Sequence, residues 1–108
     1  MNIPRAEEYP QTLTINNHTW IVSFKKKLGD KKEPLMGLTT YLDDGDDSIR
    51  LIEIALTKHG VPMSNIAIMH TFVHEVLHAM EYQHKIKLPR KAVYALDQVI
   101  VEVLLANF

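Results

Sequence analysis

Apolar and polar positions first alternate at period two. Thr12 to Ile15 and Thr19 to Phe24 are rich in β-branched and aromatic residues, and Asn16-Asn17 lies between them. This pattern predicts a β-hairpin. Residues 1–10 read as a loosely held lead-in. Lys25 to Pro34, "KKKLGDKKEP", reads as a solvated charged connection, or alternatively a weak patch for an acidic partner. Gly37 to Leu42 and Ser48 to Ile54 are two further strand candidates. The acidic stretch between them, Asp43-Asp44-Gly45-Asp46-Asp47, is expected to be a hairpin turn. A calcium loop would place glycine sixth and glutamate twelfth. Counted from Asp43, glycine is third and Ile54 is twelfth.

After Ala55 to Val61 the period lengthens. Pro62 and Ser64 mark a helix start, with Ser64 the better cap. No Gly or Pro interrupts the chain from about Ile66 to His84. Pro89 disfavours helix at Leu88, so Lys85 to Pro89 breaks this segment. A last helix is predicted from about Arg90 to Ala106. Strands first and two helices after give an α+β pattern, in a single domain spanning 1–108. The expected architecture is a small antiparallel or mixed sheet of three to four strands packed on the two helices.

Composition narrows the chemistry. The hydrophobic fraction is 46% and the charged fraction 23%, ordinary values for a folded protein. A net charge of -1 gives no global reason to expect nucleic acid or an anionic membrane. The chain has no cysteine, which excludes disulfides, thiolate metal sites and thiol nucleophiles. Met1 to Pro10 carries Arg5, Glu7 and Glu8 without an apolar core, so it does not read as a signal peptide. No apolar run approaches the roughly 18 residues of a membrane span. The expected compartment is the cytoplasm.

The candidate chemistry lies in "MHTFVHEVLHAMEYQH", residues 69–84, which holds His70, His74, His78 and His84. His74 and His78 are four apart, so on a helix they share one face. Two imidazoles so placed can bind one Zn2+ at about 2.0–2.1 Å each. Glu75 is turned about 100° from His74. It is no equal ligand, but it can reach a water held by the metal. This is the HExxH arrangement of two ligands and a general base. Phe72, Val73, Val76, Leu77 and Met80 surround it with apolar groups, and polar groups in such a setting need partners.

"TFVHEVLHAMEY" followed by "KLPRKAVYALDQVIVEVLLANF" resembles the very short zincin-type metallopeptidases. Many of these are encoded by bacteriophages and prophages; they are distant relatives of the SprT-like, ImmA/IrrE-like and minigluzincin proteins. The likeness covers roughly residues 37–108 and is firmest at 71–104. HExxH alone is widespread, and "VYALD" soon after a Leu-Pro turn adds specificity. The resemblance implies a zinc-dependent peptidase fold. Three strands would pack beside the HExxH helix, and the second helix would supply an acidic third ligand. It also implies an extended peptide or protein substrate pairing with an edge strand drawn from Gly37–Leu42 or Ser48–Ile54.

Three side chains compete for the third ligand. His84 stands ten residues after His74, but the metzincin pattern needs glycine where this chain has Glu81, a helix former. On the last helix, Val93, Leu96, Ile100, Val103 and Leu104 make an apolar face, and Asp97 sits on its flank. Gln98 and Glu102 share the polar side. A carboxylate in an apolar stripe calls for a cation, which favours Asp97 over Glu102 and His84. "VYALD" also aligns with the acid-bearing segment of the resembled family. Relatives more often carry Glu there; Asp is shorter, so the helices must approach more closely or the metal is held less tightly. His70 and Glu81 lie on the His74–His78 stripe as candidates to orient the ligands, or as satisfied polar core residues. Tyr82 and Tyr94 could bond a tetrahedral intermediate, though aromatic packing is the better account of both. His18 and His59 receive no role. The expected activity is peptide hydrolysis by a metal-activated water, with Glu75 as general base. A metal-stapled binding or regulatory protein is the alternative, and a latent peptidase lidded by Leu104 to Phe108 a third.

Overall fold

Two Asn residues in the left-handed region, Asn16 at φ 49° and Asn17 at φ 66°, close the first hairpin of the computed structural model. Asparagine tolerates this backbone, and two such residues in succession match the twist of the flanking strands. Residues 3–30 and 32–107 are described. Met1 and Asn2 of the lead-in, Lys31 of the lysine run and Phe108 of the tail lie outside them. A short 3-10 helix, Ala6–Glu8, precedes β1 (Thr12–Ile15) and β2 (His18–Lys25), which pair antiparallel as expected.

The charged connection is more structured than expected. It holds a two-residue ladder between β3 (Leu28–Gly29) and β4 (Pro34–Leu35). β5 (Gly37–Asp44) and β6 (Asp47–Ala55) form the second main hairpin, turning at Gly45 with φ 62°. A further small ladder joins β7 (Thr57–Lys58) to β8 (Val61–Pro62). The main sheet has the order β1-β2-β6-β5, with β2 and β6 parallel and the other pairs antiparallel. It is therefore the mixed four-stranded sheet expected, and β5 is an edge.

α1 runs over Asn65–His84, and the Ser64 hydroxyl accepts from the Ala67 N–H at 3.2 Å as an N-cap. α2 covers Arg90–Asn107. α1 lies across β5 and β6 and carries α2 on its other side. It therefore buries two faces. Ile68 and Ala79 join Ile15, Trp20, Ile52 and Ile54 beneath the sheet. Val73 and Leu77 join Val93 and Val101 against α2. Full burial of one such aliphatic side chain stabilises by about 1.5–3 kcal/mol. The sheet-side core is fastened by polar bonds as well. Gln83 Oε1 accepts from Trp20 Nε1 at 3.0 Å and from Arg50 Nε at 2.9 Å. Trp20, Tyr41 and Tyr82 stack in series, with ring centroids 5.9 and 5.2 Å apart.

The inward face of α2 is rotated from the one expected. Val101 is fully buried, whereas Leu96 and Val103 are exposed. The reason is that α2 has one main partner. Val93, Asp97 and Val101 are buried against α1, Ile100 and Leu105 pack at the margin of the same cluster, and Leu96, Val99 and Val103 face outward. No helix among the described residues is long and apolar enough to cross a membrane.

Candidate metal centre

A third line of α1, between its two apolar faces, carries His70, His74, His78 and Glu81. At 3.6 residues per turn these side chains stack one above another. The ends of the line are held differently. At the C-terminal end, Lys85 takes the left-handed conformation at φ 54°, and the Ile86 N–H reaches back to the Glu81 carbonyl at 3.0 Å. This cap turns the chain so that the Leu88 N–H donates to Glu81 Oε2 at 2.7 Å. Glu81 Oε1 accepts from His78 Nδ1 at 2.8 Å. Burial pushes the Glu81 carboxyl upward, but the Leu88 N–H, the His78 N–H and the charges of His78 and Lys87 together outweigh it. Its pKa therefore lies below the ordinary value.

At the centre of the line, Asp97 of α2 meets His74. Its Oδ2 accepts from His74 Nδ1 at 3.0 Å, and its Oδ1 lies 3.5 Å from His70 Nδ1. Asp97 is 4% exposed. His70 Nδ1 and Asp97 Oδ1 are buried and make no hydrogen bond.

Where the two carboxylates are ionised, these contacts determine which nitrogens of the two rings are free. An ionised carboxylate only accepts, so both Nδ1 atoms carry the proton. In neutral rings the lone pairs of His74 and His78 would then reside on Nε2, and the two Nε2 atoms lie 3.2 Å apart. Two lone pairs facing each other at this distance repel unless a cation or a proton stands between them. Tetrahedral bonds of about 2.0–2.1 Å give an N–N edge of about 3.3–3.4 Å, so the spacing and the chemistry of the pair fit zinc. The rings cross at 80° with centroids 4.8 Å apart, and Tyr94 lies against His74 at 5.0 Å.

The three candidates for the third ligand separate clearly. His84 and Glu102 are exposed, and neither is among the hydrogen-bond or ion-pair partners of the two rings. Asp97 does reach it, buried as expected, but through Nδ1 of His74. An oxygen bonded to Nδ1 stands on the opposite side of the imidazole from whatever Nε2 binds. Asp97 thus meets the Nδ1 side of His74 and not its Nε2 side. Among the described residues, no group of three His, Asp or Glu is arranged to hold a metal.

Glu75 faces the edge strand. It is 7% exposed, and its Oε1 accepts from Thr39 Oγ1 of β5 at 2.8 Å. The same hydroxyl lies 3.1 Å from the Glu75 carbonyl oxygen. Gly37 of β5 presses on the carboxylate so closely that a Cβ there would stand 2.9 Å from Oε2. Sequence reasoning missed Gly37 and Thr39. They are more than thirty residues from Glu75, and no local pattern marks them. Two cavities open on either side of His74 and Tyr94, which line both. One, of about 340 Å³, is shared with Gly37, Glu75 and Asp97. The other, of about 440 Å³, is shared with His78, Glu81 and Tyr82. Tyr82 also stacks on Tyr41, whereas Tyr94 is half exposed beside His74. Leu104 to Asn107, the lid of the latent reading, form the end of α2, and Leu105 packs on the Val73–Val101 cluster. No protein-family model matches the chain, and comparison with curated proteins and with solved structures likewise finds no match.

Proposed function

We propose that this chain is a zinc-dependent metallopeptidase. The observation that carries the reading is the pair of Nε2 atoms 3.2 Å apart, each ring held from behind by a carboxylate. His74 and His78 would hold the metal through Nε2. Asp97 and Glu81 keep the two Nδ1 protons in place and so fix the tautomer that presents Nε2. A bound zinc supplies Lewis acidity, which brings a water's pKa toward neutrality and polarises a carbonyl. Asp97, the acidic ligand suggested by sequence, would join the metal only by giving up His74 Nδ1.

The chain's own contribution to hydrolysis is proton transfer and positioning. Glu75 accepts a proton from the attacking water at a carboxylate oxygen and returns it to the amine nitrogen as the peptide C–N bond breaks. Thr39 orients that carboxylate from β5. The same strand is the sheet edge, with its outward backbone groups free to pair with an extended peptide. Tyr94, whose ring lies 5.0 Å from that of His74, would donate to the oxygen of a tetrahedral intermediate.

Glu75→Gln tests the assignment. It should bind zinc as wild type does and lose hydrolysis of an unstructured protein such as casein. Cleavage equal to wild type sinks Glu75 as general base. Zinc binding with no cleavage by wild type itself favours the metal-stapled binding protein.

A further inference from the structure

We infer that the cavity beside His78 is a subsite for a carboxylate of the substrate, received by Lys87 and Arg90. The inference rests on the metallopeptidase reading, which brings a peptide to the His74–His78 pair. The cavity has a volume of about 440 Å³ and opens from His74 and His78 onto Tyr82, Ile86, Leu88 and Tyr94. Its lining includes two cations, Lys87 and Arg90, and one acid, Glu81. Glu81 is already engaged by the His78 and Leu88 N–H groups. The two cations make no ion pair among the described residues. Arg90 is also the first residue of an 18-residue helix, whose N-terminal end adds partial positive charge.

Apolar walls with two cations in no ion pair, of which Lys87 acts on Glu81 only at longer range, select a ligand with a hydrocarbon body and an anionic end. Arginine offers a planar fork that matches a carboxylate, and lysine a point charge. In a peptide such a group is an Asp or Glu side chain, or the free C-terminus. A neutral side chain in the same place would leave the charges unused.

The test measures binding, so it does not depend on turnover. Full-length Glu75→Gln protein, 15N-labelled and with zinc added, is titrated with two pairs of acetylated tripeptides. Ac-Gly-Leu-Glu-NH2 is compared with Ac-Gly-Leu-Gln-NH2, and Ac-Gly-Leu-Leu-OH with its amide. In at least one pair the carboxylate member should bind roughly fivefold more tightly at low salt. Its amide shifts should centre on Leu88, Arg90 and Tyr94, and added NaCl should shrink the preference. The pair that responds identifies the source as side chain or C-terminus. Lys87→Gln with Arg90→Gln should abolish the preference and leave the neutral peptides' affinity unchanged. Equal affinities within both pairs, or no shifts around this cavity, overturn the inference. Cleavage by wild type without carboxylate preference would leave the peptidase standing and remove only the subsite. Carboxylate preference without any cleavage would do the reverse.

Discussion

Replacing Gly37 by alanine adds a single methyl group where the structure leaves no room for one. A Cβ at this position would lie 2.7 Å from Glu75 Cγ, 2.8 Å from Thr71 Cγ2 and 2.9 Å from Glu75 Oε2. Comfortable contact between such atoms is about 3.5–4.0 Å. All three clashing atoms belong to α1, and both residues are buried, at 5% and 7% exposure. Neither side chain can swing into solvent, so β5 and α1 must part. Overpacking of this kind costs about 1–3 kcal/mol. Opposing it, Gly→Ala restricts the unfolded chain and stabilises by about 0.4–1 kcal/mol. The net expectation is a loss of about 0.5–2 kcal/mol, or a Tm lower by roughly 2–16 °C in a domain of this size. Thermal unfolding followed by circular dichroism measures it. Gly45→Ala is the control. It has φ 62° and nothing within 4 Å of its Cβ, so its cost is left-handed strain alone. Gly37→Ala should also weaken hydrolysis, because the carboxylate it displaces is the proposed base, and Gly45→Ala should not. A Gly37→Ala Tm equal to or above wild type would refute the close packing of β5 on Glu75.

Asp97→Ala separates an orienting carboxylate from a ligand. If Asp97 acts through His74 Nδ1, zinc affinity measured by competition with a chromophoric chelator should fall about 10–100-fold. Complete loss of binding would make it a ligand. Tyr9 carries a buried hydroxyl without a hydrogen-bond partner, packed between Phe24 and Phe72. Tyr9→Phe should therefore stabilise by about 1 kcal/mol, read by urea denaturation. Burial also holds the Tyr9 phenol above its ordinary pKa. A raised folded pKa means stability that is intact below the unfolded value, about 10, and lost as pH rises through the folded one. The Phe variant should show a smaller loss in that alkaline window, and an identical alkaline slope would contradict the assignment.

The parts of the fold readable from sequence are those dictated by local chemistry. Asn16-Asn17, the Gly45 turn, the Ser64 cap and the break before Pro89 each constrain the backbone where they stand. The two-residue ladders at Leu28–Gly29 with Pro34–Leu35, and at Thr57–Lys58 with Val61–Pro62, are too short to show a period. The face of α2 is not legible in the sequence because an apolar stripe does not say how many partners a helix has. With one main partner, Val101 went inward and Val103 outward. At the site, the line of His70, His74, His78 and Glu81 follows from helical spacing alone. Which nitrogen Asp97 meets depends on how α2 docks on α1, and no spacing within one helix encodes that. Thr39 and Gly37 reach Glu75 only through sheet-on-helix packing.

The proposed activity requires a metal ion at the point where the two Nε2 atoms converge. Its most direct measurement is long-range 1H–15N NMR of the histidine rings, with zinc titrated into metal-free protein. Saturation is expected at one zinc per chain, with His74 and His78 shifting together as Nε2 ligands and retaining their Nδ1 protons. Rings that share a proton and stay unchanged at excess zinc, or that bind it through Nδ1, would contradict it.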